Sequence, residues 1–425
     1  MIHKKISVVG LGYIGLPTAA MLAQAQIKVV GVDIVSHVVD TINLGRIHIT
    51  EPGLEQIVNN VVKDGYLRAT LTPETADVFI IAVPTPFLGN YEPDMTYVEA
   101  AVKLIATVLK KGDIIILEST SPVGSTEQMA IWLKNLRPDL LFPVCADDPA
   151  DVYLAYCPER VLPGKAIEEL VHNARIIGGI TPKCAQLAEE VYKVFVKGEL
   201  IHTNARTAEM SKLTENSFRD VNIAFANELS MICDKLDIDV WELIKLANHH
   251  PRVNILQPGP GVGGHCIAID PWFIVNKTPE QARLIKMARI VNDSKPEWVV
   301  TKINAAIIEF LQKHPTRLLH DVKISCFGLA FKADIDDLRE SPAVEIVKSL
   351  AKIYRGQILA IEPHINYLPE ELVELSVEFA AFDNALTVSD VLVILVDHNE
   401  FKMINRTSWG DKIIVDTRGL LRSVL

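Results

Sequence analysis

Residues 5–15 read KISVVGLGYIG, and the interpretation of the whole chain starts from this stretch. An apolar run typical of a buried strand ends in a glycine-rich turn, and a helical pattern begins directly after it. Such a turn lets the backbone approach a pyrophosphate at the amino end of a helix. We therefore expect a dinucleotide site, whose turn carries Gly10, Gly12, Tyr13, Ile14 and Gly15.

The next apolar run, KVVGVD, ends in Asp33. A carboxylate there accepts hydrogen bonds from ribose hydroxyls and repels a 2′-phosphate, which favours NAD over NADP. A glycine motif alone is a weak signal, and Asp33 could be a solvated residue at a strand end. The strand, the helix and the acid in the expected order favour the cofactor site. Thr85 and Thr120 end two later strand patterns, where ligands gather, although either could be a turn hydroxyl.

Strand and helix patterns alternate as far as about Thr203, which predicts a parallel sheet covered by helices on both faces. We assign residues 1–203 to a NAD-binding Rossmann-like domain and residues 204–314 to a central helical, dimerisation and catalytic-loop region. The alternation restarts near Lys323, with a helix opened by Pro342, so residues 315–425 form a second, smaller domain. The predicted fold class is α/β, with two doubly wound domains joined by a long central helix.

One cysteine stands in an unusual setting: Cys266 follows GVGGH in a Pro- and Gly-rich loop, residues 249–271. Long loops in compact domains are usually functional. Glycines let backbone amides point toward a sulfur or a developing oxyanion, so we predict that Cys266 is a nucleophile with Asp270 close by. A buried cysteine that packs as a small hydrophobe is the alternative. That fate is expected for Cys145, Cys157, Cys184, Cys233 and Cys326.

Four polar residues before the apolar stretch VNIAFANELSMI recur at intervals of three and four, so they share one helix face: Glu209, Lys212, Asn216 and Arg219. A solvated charged face is the usual explanation. The apolar stretch that follows favours a largely buried helix instead. A buried lysine and asparagine need partners, and a substrate oxyanion with a water would satisfy them.

Bulk composition excludes several classes of protein. A formal charge of −11 argues against a nucleic-acid surface. Six scattered cysteines form neither a disulfide scaffold nor a metal site, and we expect a cytoplasmic protein. A strand pattern begins almost at the first residue, which leaves no room for a signal peptide. No apolar run reaches the roughly 18 residues of a membrane span.

Six stretches in order resemble the UDP-glucose/UDP-mannuronate dehydrogenase family: GLGYIG, ESTSPVGST, CPERVLPG, AEMSKLTEN, GPGVGGHCIAIDP and FGLAFKADIDDLRESP. The resemblance covers nearly the whole chain. It implies a homodimer of two-domain subunits that uses NAD to oxidise the C6 hydroxyl of a UDP-sugar to a carboxylate. Arg160 and the stretch NHHPRVNILQPG are most similar to members that oxidise UDP-N-acetyl-D-mannosamine. Such enzymes supply bacterial surface polysaccharides, among them the enterobacterial common antigen.

The resemblance also implies roles for individual residues. Cys266 is the nucleophile, and Arg252 reaches across the dimer interface into the partner's sugar site. Further catalytic residues are Lys212, Asn216, Asp270, Glu159 and Thr120. Further cofactor contacts are Thr126 and Arg339. The substrate contacts are Arg160, Val161, Lys212, Asn216, Arg219, His250, Arg252, Gly263, Lys332 and Arg418.

Several alternatives stay open at this point. Arg160-Val161 replaces the Phe-Leu pair of UDP-glucose dehydrogenases, which disfavours glucose, yet UDP-N-acetylglucosamine and UDP-glucose are the next candidate substrates. A two-electron hydroxyacid dehydrogenase would lack the second Rossmann-like domain and the glycine-flanked Cys266. A silent dinucleotide sensor would not need Lys212, Asn216, Cys266 and Asp270 together.

Overall fold

The computed structural model describes residues 5–89, 91–162, 164–264, 266–402 and 412–421. The chain divides into two compact units. The first consists of Met1–Glu215 and Trp272–Thr278, and the second of Asn216–Pro271 and Pro279–Leu425. The predicted central region, residues 204–314, is therefore divided between the two units.

The first unit is built on an eight-stranded sheet with the order β3-β2-β1-β4-β5-β6-β7-β8. Apolar runs such as IIIL at β5 are buried on both faces, as expected for strands covered by helices. The strands are β1 (Lys5–Val9), β2 (Lys28–Val32), β3 (Leu67–Thr70), β4 (Val78–Ile81), β5 (Ile114–Leu117), β6 (Tyr153–Tyr156), β7 (Arg175–Gly179) and β8 (Leu200–Asn204).

One part of this sheet departs from the prediction of a fully parallel arrangement. β7 pairs with β6 in the antiparallel sense, with Ala155 opposite Gly179, and β8 runs parallel to β7. The link from β6 to β7 contains one short helix, α6 (Ala166–His172). The chain therefore turns back at the carboxyl end of β6 instead of crossing to the amino end, as a parallel neighbour would require.

Helices cover both faces of the sheet, and two separate apolar cores fill the space between them. α1 is buried along nearly its whole length because it is rich in small and apolar residues. The helices are α1 (Gly15–Gln24), α2 (Ser36–Asn43), α3 (Leu54–Lys63), α4 (Thr96–Ala106), α5 (Ser125–Leu136), α6 and α7 (Pro182–Tyr192).

The predicted long helix is present as α8 (Ala205–Leu236), which continues without a break from the first unit into the second. A second long helix, α11 (Arg283–Lys313), contains Pro296. Two short helices lie between them in the chain, α9 (Val240–Ala247) and α10 (Asp270–Lys277). None of the helices in the described part of the chain is long and apolar enough to cross a bilayer.

The second unit carries a five-stranded parallel sheet with the order β11-β10-β9-β12-β13. Pro342 opens the helix that follows the first strand of this sheet, as predicted, because a proline at a helix start loses no hydrogen bond. The strands are β9 (Ile324–Phe327), β10 (Ile358–Ile361), β11 (Glu378–Phe379), β12 (Val391–Ile394) and β13 (Ile413–Asp416). The helices are α12 (Pro342–Ile353), α13 (Glu370–Glu374), α14 (Phe382–Val388) and α15 (Asn399–Lys402), after a 3₁₀ turn at Leu319–Asp321. The predicted α/β class with two Rossmann-like domains is confirmed.

Candidate active site

The glycine turn after β1 has the shape that a dinucleotide requires. Gly10 has a φ of +88°, and a Cβ added there would lie 2.5 Å from the carbonyl oxygen of Ala82. A Cβ on Gly15 would lie 1.8 Å from the carbonyl oxygen of Gly10, so the start of α1 lies directly on the turn. A Cβ on Gly12, in contrast, would meet no described atom within 4 Å. The space beside Gly12 fits a phosphate group at the amino end of α1.

Asp33 follows β2, holds this turn through the amide of Leu11 and also binds the amide of Val35. Its carboxylate accepts hydrogen bonds from the N–H of Leu11 and the N–H of Val35, both at 3.0 Å. Each carboxylate oxygen has a second lone pair, and the side chain is half-buried. Asp33 can therefore hold the turn and still accept ribose hydroxyls.

Hydroxyl residues line the carboxyl ends of the neighbouring strands. The Thr85 hydroxyl, after β4, donates to the carbonyl oxygen of Thr120, after β5, at 2.6 Å. The two predicted threonines therefore lie side by side at the edge where ligands bind in open α/β sheets. Tyr13 is 41% exposed in the same unit, and Ile14 is half-buried.

Thr126, a predicted cofactor contact, is fully buried in the first turn of α5. Its hydroxyl and its N–H both donate to Glu209 on α8, at 2.6 and 2.8 Å. The N–H of Gly124 donates to the same carboxylate. Glu209 thus fills the amino end of α5, and its burial raises its pKa to about 7. The sequence analysis placed Glu209 on the helix face without identifying this capping role.

The CPERV segment after β6 places Glu159 in the sheet interior and Arg160 nearer the surface. Glu159 is 8% exposed and accepts a hydrogen bond from Arg175 at 3.0 Å. Arg160 forms an ion pair with Glu215 at 2.6 Å and donates to the carbonyl oxygen of Ala174. Val161 is half-buried and packs on the core. On α8, Lys212 is half-buried and has no ion pair among the described residues.

In the second unit the structure brings together three of the predicted catalytic residues. The amide of Asn216 on α8 donates to the carboxylate of Asp270 at 2.5 Å. The N–H of Asp270 donates to the carbonyl oxygen of Cys266 at 2.8 Å. Cys266 is half-buried and Asp270 is almost fully buried. The thiol-bearing residue is thus held one helical turn from a buried carboxylate that α8 orients.

The glycines before Cys266 serve a steric purpose that the sequence analysis did not identify. A Cβ on Gly261 would lie 2.8 Å from Pro342, and one on Gly264 would lie 2.8 Å from the ring of Phe331. A Cβ on Gly263 would lie 2.4 Å from the carbonyl oxygen of Glu340. The loop therefore lies flat on residues 331–342. Its glycines are required for this packing, whatever their amides bind.

A buried amide chain, absent from the sequence prediction, supports the same loop. Asn227 on α8 accepts a hydrogen bond from the N–H of Gly259 at 2.9 Å and donates to Asn292 on α11 at 2.9 Å. Asn292 in turn donates to Asp220, which also pairs with Arg289 at 2.7 Å. The sequence signal for this amide chain is the presence of polar residues inside the apolar stretch after Asn216.

Six predicted contacts lie at or near the surface of their units. Arg418 pairs with Asp397 at 2.7 Å and lies against Gly259. Arg339 pairs with Asp337 at 2.6 Å, while its carbonyl oxygen accepts a hydrogen bond from Gly264 at 3.2 Å. The remaining four are exposed: Arg219, His250, Arg252 and Lys332.

The cysteine prediction is correct for four residues and wrong for one. Cys157, Cys184, Cys233 and Cys326 are buried, as small hydrophobes should be. Cys145 is exposed because it lies in a loop before β6 and not in a strand or helix.

One group of described residues has metal-ligand chemistry: Asp334, His364, His398 and Glu400 bring possible ligand atoms within 4.8 Å of one another. Both ring nitrogens of His398 already have partners. Nδ1 accepts the N–H of Asp334 at 2.9 Å, and Nε2 lies 3.0 Å from Glu362. Hydrogen bonding therefore accounts for the position of His398 in this group.

Family models match three consecutive parts of the chain. Residues 4–196 match the NAD binding domain of the UDP-glucose/GDP-mannose dehydrogenase family, residues 206–294 its central domain, and residues 325–423 its UDP binding domain. The chain belongs to this family. The dehydrogenase therefore uses NAD as its cofactor, and its second Rossmann-like domain is the UDP-binding one.

Individual relatives of this dehydrogenase match over almost its full length. It is 61% identical over 417 residues to a UDP-N-acetyl-D-mannosamine dehydrogenase from Salmonella typhi, covering 98% of this chain and 99% of the relative. It is 58% identical to an NDP-N-acetyl-D-galactosaminuronic acid dehydrogenase from Ralstonia nicotianae, covering 98% and 96%. A solved UDP-D-ManNAc dehydrogenase from Pyrococcus horikoshii is 40% identical, with a TM-score of 0.86 and coverage of 98% and 96%.

Proposed function

We propose that this dehydrogenase oxidises the C6 hydroxyl of UDP-N-acetyl-D-mannosamine to the carboxylate of UDP-N-acetyl-D-mannosaminuronate. The observation that carries the proposal is the hydrogen-bonded set of Asn216, Asp270 and Cys266 in one unit. A thiol is needed only when an aldehyde has to be carried on to an acid. The relatives at 61% and 40% identity bear the name of this activity.

The cofactor fits the turn after β1 and would be held by Gly10, Gly12, Gly15, Asp33 and Thr85. NAD supplies the hydride acceptor for both oxidations. Asp33 would accept hydrogen bonds from the ribose hydroxyls, and the amino end of α1 would favour the negative charge of the pyrophosphate.

In the first oxidation the ammonium of Lys212 stabilises the alkoxide that forms as the C6 hydroxyl loses its proton. The Cys266 thiolate then adds to the aldehyde carbon, and loss of a second hydride from the thiohemiacetal gives a thioester. Water attacks the thioester, and the C–S bond breaks to return the thiolate. Asp270, Glu159 and Lys212 are the candidates for activating that water. The sum is one alcohol, one water and two oxidised NAD to one carboxylate, two NADH and three protons.

For the assembly, we propose a homodimer in which Arg252 enters the partner's sugar site. Apolar side chains recur every seven residues along α8 from Phe218 onward and are exposed in the single chain. They are Phe218 at 71%, Phe225 at 53% and Ile232 at 45%. A stripe of this spacing favours packing against another helix. Arg252 is exposed in the same unit.

Mixing two inactive variants tests the dimer. Lys212→Ala and Arg252→Ala protomers should regain activity on subunit exchange, because one site of each heterodimer then carries neither lesion. Tagged co-purification without regained activity would show that Arg252 acts within its own chain.

The substrate is tested with a panel of UDP-sugars and a count of NADH formed per sugar. UDP-N-acetyl-D-mannosamine should give the highest kcat/KM and two NADH, whereas Cys266→Ser should form no acid. One NADH per sugar, with free aldehyde, would overturn the covalent mechanism. UDP-N-acetylgalactosamine belongs in the panel because the 58% identical relative is named for that configuration. Its preference over the mannosamine sugar would correct the substrate.

We place this chemistry in the cytoplasm, since all six cysteines are free thiols in the structure.

A further inference from the structure

A buried charge cluster lies at the carboxyl end of β5 and β6 in the first unit. Arg175, the first residue of β7, stands between two carboxylates, Glu118 after β5 and Glu159 after β6. It donates to Glu159 through Nη1 at 3.0 Å and to Glu118 through Nη2. Arg175 is 5% exposed and the Glu118 side chain is fully buried.

The reversal of β7 creates this cluster. Ala155 and Tyr156 of β6 lie opposite Gly179 and Gly178. The same antiparallel register, continued beyond β6, places Arg175 opposite Glu159. In a parallel arrangement the first residue of β7 would stand at the other edge of the sheet.

Glu118 is held from several sides and is directed only at the protein interior. Besides Arg175, it accepts hydrogen bonds from the hydroxyl of Tyr192 at 2.6 Å and the hydroxyl of Thr18 at 3.3 Å. The Arg175 guanidinium also stacks over the Tyr192 ring, 3.9 Å from its centre. Glu118 therefore anchors Arg175 and has no route to a substrate.

Glu159, in contrast, accepts a hydrogen bond on each oxygen but remains 8% exposed. One oxygen accepts the N–H of Arg160 at 2.6 Å and the other accepts Arg175. Each oxygen keeps a lone pair that a water can use. Two carboxylates share one guanidinium here. Burial, together with repulsion from Glu159, outweighs Arg175 and raises the pKa of Glu118 to about 7. The thiol of Cys157 and the hydroxyl of Tyr192 are the other titratable groups that face the cluster.

We propose that Arg175, anchored by Glu118, is a positioning residue that sets the orientation of Glu159 for the reaction. The inference rests on the proposed function, and of its three candidates for activating the water it takes Glu159. It adds two residues, Glu118 and Arg175, that act only through Glu159.

Glu118→Gln tests this role, and β5 offers a matched control. Asp113 lies directly before β5, is fully buried and binds Lys110, so Asp113→Asn is the same carboxyl-to-amide change at the other end of one strand. Glu118→Gln should lower kcat roughly 10- to 100-fold with KM for both substrates within about threefold. Asp113→Asn should leave kcat within about threefold. An equal fall in both variants would show a merely structural role.

A double variant and a pH profile give the decisive readouts. Glu118→Gln combined with Glu159→Gln should be no slower than Glu159→Gln alone, because the effect passes through Glu159. In wild type Glu118 has a pKa of about 7, so kcat should rise as Glu118 ionises and its negative charge holds Arg175, whereas Glu118→Gln should lack this rise. Multiplied losses, or the same rise in both enzymes, would overturn the inference.

Tyr192→Phe is a milder variant for the case that Glu118→Gln does not fold. It removes one hydrogen bond that stabilises ionised Glu118, so it should lower kcat less than Glu118→Gln does and move the rise in kcat to higher pH. An unchanged profile would count against the inference. If the wild-type enzyme forms no acid from any UDP-sugar, the proposed function itself fails. Two NADH per sugar with multiplied losses would defeat the inference alone.

Discussion

The first strands of the two sheets end in the same turn, surrounded by different side chains. After β1, Gly10 has a φ of +88° and its N–H donates to the carbonyl oxygen of Val32 at 2.8 Å. After β9, Gly328 has a φ of +92° and its N–H donates to the carbonyl oxygen of Ile361 at 2.8 Å. In both sheets the acid that follows the second strand accepts amides of the turn.

The difference lies in what covers the acid. Asp33 accepts one turn amide, that of Leu11, and stays half-exposed. Glu362 accepts the amides of Leu329 and Ala330 at 2.7 and 3.0 Å and is closed off by His398. The same glycine turn thus leaves room for a ligand in the first unit and is filled by buried side chains in the second.

The largest expected difference between the two turns is the loss of stability when Glu362 or Asp33 is replaced. Glu362→Ala leaves two buried amides and Nε2 of His398 without partners and should cost about 3 kcal/mol or more of local stability. Asp33→Ala should cost about 1 kcal/mol, because water can reach its half-exposed site. Hydrogen exchange of the amides of β9 and β10 against those of β1 and β2 measures the two losses separately. Equal losses would remove the distinction between a filled and an open turn.

Cofactor choice should depend on the first turn alone. Asp33→Ser removes the charge that faces a 2′-phosphate, so the ratio of kcat/KM for NADP to that for NAD should rise roughly 10-fold or more. Glu362→Gln is the matched control and should leave the ratio within about twofold. A wild-type enzyme with equal kcat/KM values for both cofactors would show that Asp33 does not bind the ribose.

Lowering the pH should destabilise the second turn, because Glu362 becomes protonated. Burial opposes its ionisation, but hydrogen bonds from His398 and the turn amides outweigh burial and hold the pKa of Glu362 below its ordinary value. Its ionised form stabilises the fold above the unfolded-chain pKa of about 4.3, and that stability is lost as pH falls through the lower folded value. Glu362→Gln should flatten this part of the dependence in the exchange of β9 and β10 amides below pH 5. An unchanged slope would contradict the assignment.

Local signals explain how much of the molecule could be predicted from the sequence. Gly10 and Asp33 lie in one strand-turn-helix-strand unit, and Pro342 marks its helix start by itself. The long helix α8 was predicted because Asn204–Leu236 contains no breaker. These features depend on neighbouring residues, so their pattern is complete in the sequence.

Features that depend on distant partners were not predictable in this way. Arg175 and Glu118 are 57 positions apart, and only the reversed β7 brings them together. Gly261, Gly263 and Gly264 stand out in the sequence, but the residues that a Cβ there would meet, such as Phe331 and Pro342, lie far along the chain. The exposure of Cys145 likewise depends on a loop that no periodicity describes.

The continuity of α8 has a consequence for how this gene can change. Lys212 and Asn216 share a helix face because they are four positions apart along one unbroken helix. Inserting a single residue between them would turn everything downstream by about 100° and raise it by about 1.5 Å. Asn216 and Asn227 would keep Asp270 and Gly259, which lie in the same unit, but Lys212 and Asn216 would no longer share a face. Surface turns can vary in length during evolution, whereas single-residue insertions and deletions in this helix should be rare.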